Sequence, residues 1–176
     1  MTIWNVDVTH TNVGFSVRHM MVAKVRGNFG MIEGKLIGDP MQLEEGKIEF
    51  TIDAASINTN NEDRDNHLRS GDFFDVENYP QITFTSTNIT ATGDDEYDVT
   101  GDLTIRGTTK ETTFKVSRLG KGTNPWGVTV VAFEANAKIS REEFGLTWNQ
   151  ALETGGVLVG DDININVELQ LNPAQD

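Results

Sequence analysis

The sequence predicts an all-β fold, an antiparallel sandwich or barrel, and three observations carry that prediction. Apolar and polar residues alternate with a period of two along most of the chain, as in strands with one dry face and one wet face. Polar turn residues punctuate the alternation at short intervals. Helical patterns, which a parallel α/β sheet would need between its strands, are nearly absent.

Taken in order, strands are expected at 3–8, 12–18 and 27–37. Gly38-Asp39-Pro40 breaks the third of these. Ile48, Phe50 and Ile52 then alternate with Lys47, Glu49, Thr51 and Asp53. A helical interruption follows over 60–70, within a longer insertion at 60–78. Asn60 is placed to cap it, and Glu62 and Asp63 suit its positive end. Asp65 and Arg69 are spaced for a surface ion pair. Strands resume at 81–90 and, after Thr92-Gly93-Asp94-Asp95, with Tyr97, Val99, Gly101, Leu103 and Ile105 on one face. Beyond the turn at 106–109, Thr112, Phe114 and Val116 continue the pattern. Gly120 through Pro125 reads as a breaker, and 127–139 as the next strand. Ser140 and Glu143 match a capping box for a short helix at 140–144. The clearest strand is the last, where Ile163, Ile165, Val167, Leu169 and Leu171 share one face. No repeat or linker divides the 176 residues, so 1–176 is read as a single domain.

Composition narrows the function. The net charge of −13 opposes binding to nucleic acid or to anionic membranes. Arg18, Lys24 and Arg26 form one modest basic cluster and Arg64 and Arg69 another, and both read as solvated surface. No apolar run is long enough to span a bilayer as a helix, so no stable membrane insertion is expected. The opening residues lack a basic and apolar leader, which points to the cytoplasm. There is no cysteine, so no disulfide or thiolate metal site exists.

Few residues form a catalytic pattern. His10, His19 and His67 have no zinc-motif spacing, so no metal is expected and hydrogen-bonded structural histidines are the simpler reading. Asp63, Arg64, Asp65 and His67 are a dense ionisable set, but no serine or cysteine sits in a nucleophile motif. Arg64, His67 and Leu68 share one face of the short helix, which either closes an end of the fold or packs on its outside. Phe15, Phe29, Phe73, Phe74, Phe84, Phe144, Trp126 and Trp148 supply large apolar groups. Eight-stranded barrels either fill their interior with such groups or leave room for one ligand.

Several motifs, in order along nearly the whole chain, resemble the YceI-like family of lipid-binding proteins. They are Asp7-Val8-Thr9-His10-Thr11-Asn12-Val13-Gly14-Phe15-Ser16-Val17-Arg18-His19, Gly27-Asn28-Phe29 and Ser56-Ile57-Asn58-Thr59. Arg64 through Ser70, Asp72-Phe73-Phe74-Asp75, Tyr79 through Phe84, Gly101 through Thr108, Phe144-Gly145-Leu146 and Val159-Gly160-Asp161-Asp162 follow. The resemblance implies a lipocalin-like antiparallel barrel of about eight strands with an elongated apolar cavity and no established catalytic role. The expected ligand is a long apolar chain: a polyisoprenoid, an isoprenoid quinone or a fatty-acid-like amphiphile, carried or stored. No other cofactor is expected. Phe15, Val17, Leu68, Phe74 and Trp148 are expected on or near the cavity wall. His19, Arg64 and Arg69 are the expected donors to a polar head. The rival readings are a filled barrel acting as a stress-related protein-interaction scaffold, and a barrel-type enzyme. Oligomeric state stays open, with a homodimer among the options.

Overall fold

The computed structural model describes residues 2–20, 22–149 and 159–174. Among these lie eleven β-strands: β1 (Ile3–Val6), β2 (Asn12–His19), β3 (Ala23–Phe29), β4 (Ile32–Ile37), β5 (Lys47–Asp53) and β6 (Ile57–Asn58), then β7 (Gln81–Gly93), β8 (Glu96–Ile105), β9 (Thr108–Thr123), β10 (Thr129–Ser140) and β11 (Val159–Pro173). One α-helix, α1 (Glu62–Arg69), lies between β6 and β7.

The register reduces eleven strands to a closed eight-stranded barrel. β11 pairs with β2 along Val159–Glu168 and with β1 along Leu171–Pro173, so β1 and β2 are two halves of one broken strand. β3 and β4 pair with β2 and β1 in turn, and β6 and β5 pair with β3 and β4. From there β5, β7, β8, β9, β10 and β11 follow as an antiparallel meander, and β11 closes on the first strand. Closure removes the exposed edges that an open sheet of this length would carry.

The first three long strands break at one level and turn a corner together. Asp7 caps a 3-10 turn at Val8–His10, and Asp53 caps another at Ala54–Ser56, each through its carboxylate and the N–H two residues on. Between them Gly30 N–H donates to the Ser56 carbonyl and Asp53 N–H to the Met31 carbonyl. The expected strand 27–37 is therefore two strands divided at Gly30-Met31, and 3–8 ends at Val6. Asx chemistry offers the backbone a turn where alternation alone suggests continuity.

Other local expectations shift for identifiable reasons. β9 runs through Gly120 and Gly122 to Thr123, and the tip is Asn124–Val128, where Asn124 Oδ1 accepts from the N–H groups of Trp126 and Val128. Asn61, not Asn60, caps α1 by accepting from Arg64 N–H, while Asn60 turns the chain at φ +62°. Asp65 is buried and accepts from both N–H and Oγ1–H of Thr59, so it makes no ion pair with Arg69. Ser140 is not a capping-box residue. Its hydroxyl donates to Asp161, and that carboxylate also accepts from Glu142 N–H at the 3-10 turn Glu142–Phe144.

The tight hairpin at Arg106-Gly107 fits its residues. Both φ angles are positive, +51° and +73°, the geometry of a type I′ turn. The Arg106 side chain then reaches off the barrel. Its Nη1 donates to the Gly145 carbonyl and its Nη2 to the Gly71 carbonyl, fastening two loops to the β8–β9 tip.

Candidate functional site: an apolar tube

The inner faces of the strands enclose a cavity of about 210 Å³. On the same measure a single water needs only about 10–15 Å³, so this is far beyond an ordinary packing void. The predicted face of β11 lines it throughout, from Ile163 to Leu171, a span of roughly 26 Å at about 3.3 Å per residue. The void therefore extends along the length of that strand. The predicted faces of β5 (Ile48, Phe50, Ile52) and β8 (Val99, Leu103, Ile105) line it as well.

Its wall is apolar. Among the described lining residues the polar ones are Thr83, Lys35 and Arg141. Lys35 contributes its stem, because its ammonium reaches out to Glu49 at 3.5 Å. Arg141 is buried, at 2% exposure, and its guanidinium donates to the carbonyls of Gly160, Leu146, Trp148 and Val159. Burial holds its pKa below the ordinary guanidinium value, against the pull of Glu142 and Asp161. Arg141 thus ties the start of β11 to the 142–148 segment. Sequence reading missed it, because a lone arginine beside two glutamates looks like a helix start.

The two ends differ. Leu36 and Leu43, both almost fully buried, close one end beneath the 38–46 loop. Arg118 secures that loop by donating to the Pro40 carbonyl, at 3.0 Å, and to the Tyr97 hydroxyl, at 2.8 Å. The other end is bounded by the β2–β3 hairpin, β6, α1 and the 141–148 segment. Above Asp53 and Gln81, where β5–β7 pairing ends, α1 and the following loop fill the gap as a strap.

Aromatic rings furnish the strap end in two groups. Phe15, Phe29 and Phe74 touch in sequence, with centroids 5.7 and 6.0 Å apart. His67, Phe73 and Trp148 form a triangle, with His67 edge to face with both partners at 5.0 and 4.7 Å and Phe73 5.4 Å from Trp148. His67 Nε2 is 2.9 Å from Asp72 Oδ2. These pairs join the strap to the wall.

The sequence-selected residues fall into three places. Phe15, Val17, Leu68 and Phe74 line the tube. Trp148 stands behind it, against Phe73 and His67. His19 is half-buried at the end of β2, opposite Val159, and Arg64 and Arg69 hold the strap; none of the three is part of the lining. Arg64 donates to the Thr59 hydroxyl and carbonyl, while Arg69 donates to the carbonyls of Ala55 and Ile57 and to Asn66 Oδ1. Among the described residues no three His, Asp or Glu side chains converge as a metal set. No helix there is long and apolar enough to cross a membrane.

Comparison with known proteins agrees with this geometry. The sequence model of the YceI-like domain matches residues 4–171. A UPF0312 protein of Staphylococcus epidermidis is 42% identical over 98% of both chains, and one from Staphylococcus aureus is 40% identical over the same share. Among solved structures, Burkholderia cenocepacia BcnA superposes with a TM-score of 0.82 at 27% identity, covering 94% of this chain and 98% of its own. The Campylobacter jejuni YceI protein gives 0.76 at 33% identity over 90% of both. A polyisoprenoid binding domain from Saccharophagus degradans shares the fold, with a TM-score of 0.70 at 16% identity over 97% of this chain and 98% of its own. With the tube and the family motifs on one chain, the protein belongs to the YceI-like family.

Proposed function

We propose that this protein binds one long apolar chain, of the polyisoprenoid, isoprenoid-quinone or fatty-acyl class, inside the barrel, and carries or stores it. The observation that carries this reading is the apolar tube running along β11, which the protein's own side chains do not fill. Apolar cavities of this kind stay dry and take up apolar ligands. Burying about ten methylenes contributes roughly 8 kcal/mol at about 0.8 kcal/mol each, enough to offset the lower range of association costs. A filled-barrel scaffold would instead have side chains where this void lies.

The wall residues are Phe15, Val17, Leu68 and Phe74, with Trp148 backing Phe73. The ligand enters at the strap end, where α1 stands in for a missing strand. Arg64 and Arg69 act by holding the strap, since their guanidinium groups already serve backbone carbonyls and neighbouring side chains. His19, at the rim beside the hairpin, is the donor for a polar head. The resemblance of the fold to a polyisoprenoid binding domain supports the choice of ligand class.

The test is direct. Mass spectrometry of an organic extract of the purified protein is expected to find one stoichiometric long-chain lipid. In a titration with a fluorescent prenyl analogue, Phe74→Asp is expected to weaken binding by several kcal/mol, because it puts a charge in the tube. Unchanged affinity in folded Phe15→Asp and Phe74→Asp variants would refute the assignment.

A further inference from the structure

The β2–β3 hairpin carries three cations and no carboxylate. Phe15, Val17 and their β3 partners face the tube side, so Arg18, Lys24 and Arg26 share the outer face of the hairpin and are exposed. Arg18 and Lys24 are direct cross-strand partners. Like charges placed opposite each other destabilise a ladder, so the pair works against the hairpin on its own. Among the described residues none forms an ion pair with any of the three. The nearest strand's carboxylates are engaged elsewhere: Asp161 with Ser140 and Glu142 N–H, Asp162 with Lys138 at 3.3 Å.

The tip between these cations is apolar. Val22 is 84% exposed and Met20 49%. A chain with net charge −13 thus gathers three cations, without an ion pair among the described residues, around the exposed Val22 and Met20, and it does so beside the strap end of the tube. We propose that this hairpin docks on an anionic membrane surface, with Val22 and Met20 entering the interface and Arg18, Lys24 and Arg26 meeting the headgroups. Its purpose, setting the strap end against the lipid from which the apolar chain exchanges, rests on the function proposed above. The observations favour a bilayer over the other polyanions. A single-stranded nucleic acid would call for aromatic platforms, which the outer face of the hairpin lacks. Two exposed aliphatic side chains are a small apolar core against the roughly 800 Å² per partner that a standard protein–protein interface buries. A bilayer interface uses both the cations and the aliphatic tip, and the contact is peripheral, without any spanning element.

The chain has no cysteine, which makes a clean test available. Val22→Cys is labelled with a polarity-sensitive fluorophore. Trp126→Cys, labelled likewise, is the control, since Trp126 is equally exposed at the opposite end of the barrel. Each protein is mixed with vesicles of phosphatidylcholine alone and of phosphatidylcholine with phosphatidylglycerol. A blue shift is expected at position 22 with the anionic vesicles only, and none at position 126. In the Val22→Cys protein, Arg18→Gln and Lys24→Gln are each expected to weaken partitioning about fivefold, at about 1 kcal/mol per surface cation, with circular dichroism confirming the fold.

No shift at position 22, an equal shift at position 126, or partitioning unaffected by either charge substitution overturns the proposal. So does a shift given by polyglutamate and not by vesicles, which would assign the hairpin to an acidic protein. Vesicle docking is read without the bound chain and the extract without vesicles, so the two proposals fail separately: lipid in the extract with no docking overturns this one alone.

Discussion

Asp7 ties its own turn to β11 with one carboxylate. Its Oδ1 accepts from Thr9 N–H, and its Oδ2 accepts from His10 Nδ1–H at 2.9 Å and from the amides of Gln170 and Asn172. The hydrogen bond from His10 holds the carboxyl below the usual carboxylate range, against the effect of burial. A carboxyl whose folded pKa is lowered stabilises the fold above its unfolded pKa, and that contribution fades as pH falls from there through the folded value. Wild type and Asp7→Asn are therefore expected to differ in urea stability near pH 6, and the difference to shrink as pH falls from about 4 through the lowered folded value. A difference that persists at low pH would show that the carboxylate's charge is not what matters. Gly101 makes a different kind of demand. A Cβ there would lie 2.3 Å from the Thr85 carbonyl oxygen, next to the bulge at Ser86–Asn88, so the residue is glycine for space rather than for φ. Alternation places Gly101 on the inner face but cannot say that a neighbouring backbone occupies its side-chain position.

At the scale of the element, the strap of α1 and residues 71–80 is the part of the barrel least supported by ladder bonds. It is held by Arg64, Arg69 and Arg106 through carbonyls, by Asp65 through Thr59, and by the His67–Trp148 contact. Arg106→Ala removes two charge-assisted bonds, to Gly71 and Gly145, and is expected to cost about 2 kcal/mol. The expected signature is local. Hydrogen exchange should quicken in 62–76 while the β8 and β9 amides stay protected, and the prenyl probe should leave faster. Exchange that rises evenly over the whole barrel would place the effect of Arg106 in global stability instead. The segment's helicity, its approximate limits and its acidic start were legible in the sequence. The bonds its arginines make were not, because an arginine's partners here are carbonyls of residues 5 to 35 positions away in the chain.

At the scale of the whole molecule, a ligand in the tube supplies contacts that the barrel's own side chains do not. Lining atoms facing a void lack partners on one side. A ligand that binds the folded state alone, at one hundred times its Kd, stabilises by about 2.7 kcal/mol. For a chain of this size that corresponds to a rise in Tm of about 5–10 °C. Thermal unfolding of delipidated protein with and without a prenyl alcohol measures it. An unchanged Tm at saturating prenyl alcohol would remove that class from the tube's ligands.

What the sequence determined by itself is the alternation, and through it the inner face of β5, β8 and β11. The period of two is a local property, and burying one face is its only stable use in an antiparallel sheet. It also determined that most strands connect to the next by a short polar turn, which limits the fold to an antiparallel sandwich or barrel. The tertiary structure alone decided three things. It decided that Phe15 and Val17 face inward, because a single strand reads the same with either face in. It decided that three neighbouring strands break at one level, since a corner exists only when Asp7, Gly30 and Asp53 meet across the sheet. And it decided that the interior is a tube rather than a filled core, because a void is the difference between the barrel's girth and the volume of its side chains, and neither is written in any one segment of the chain.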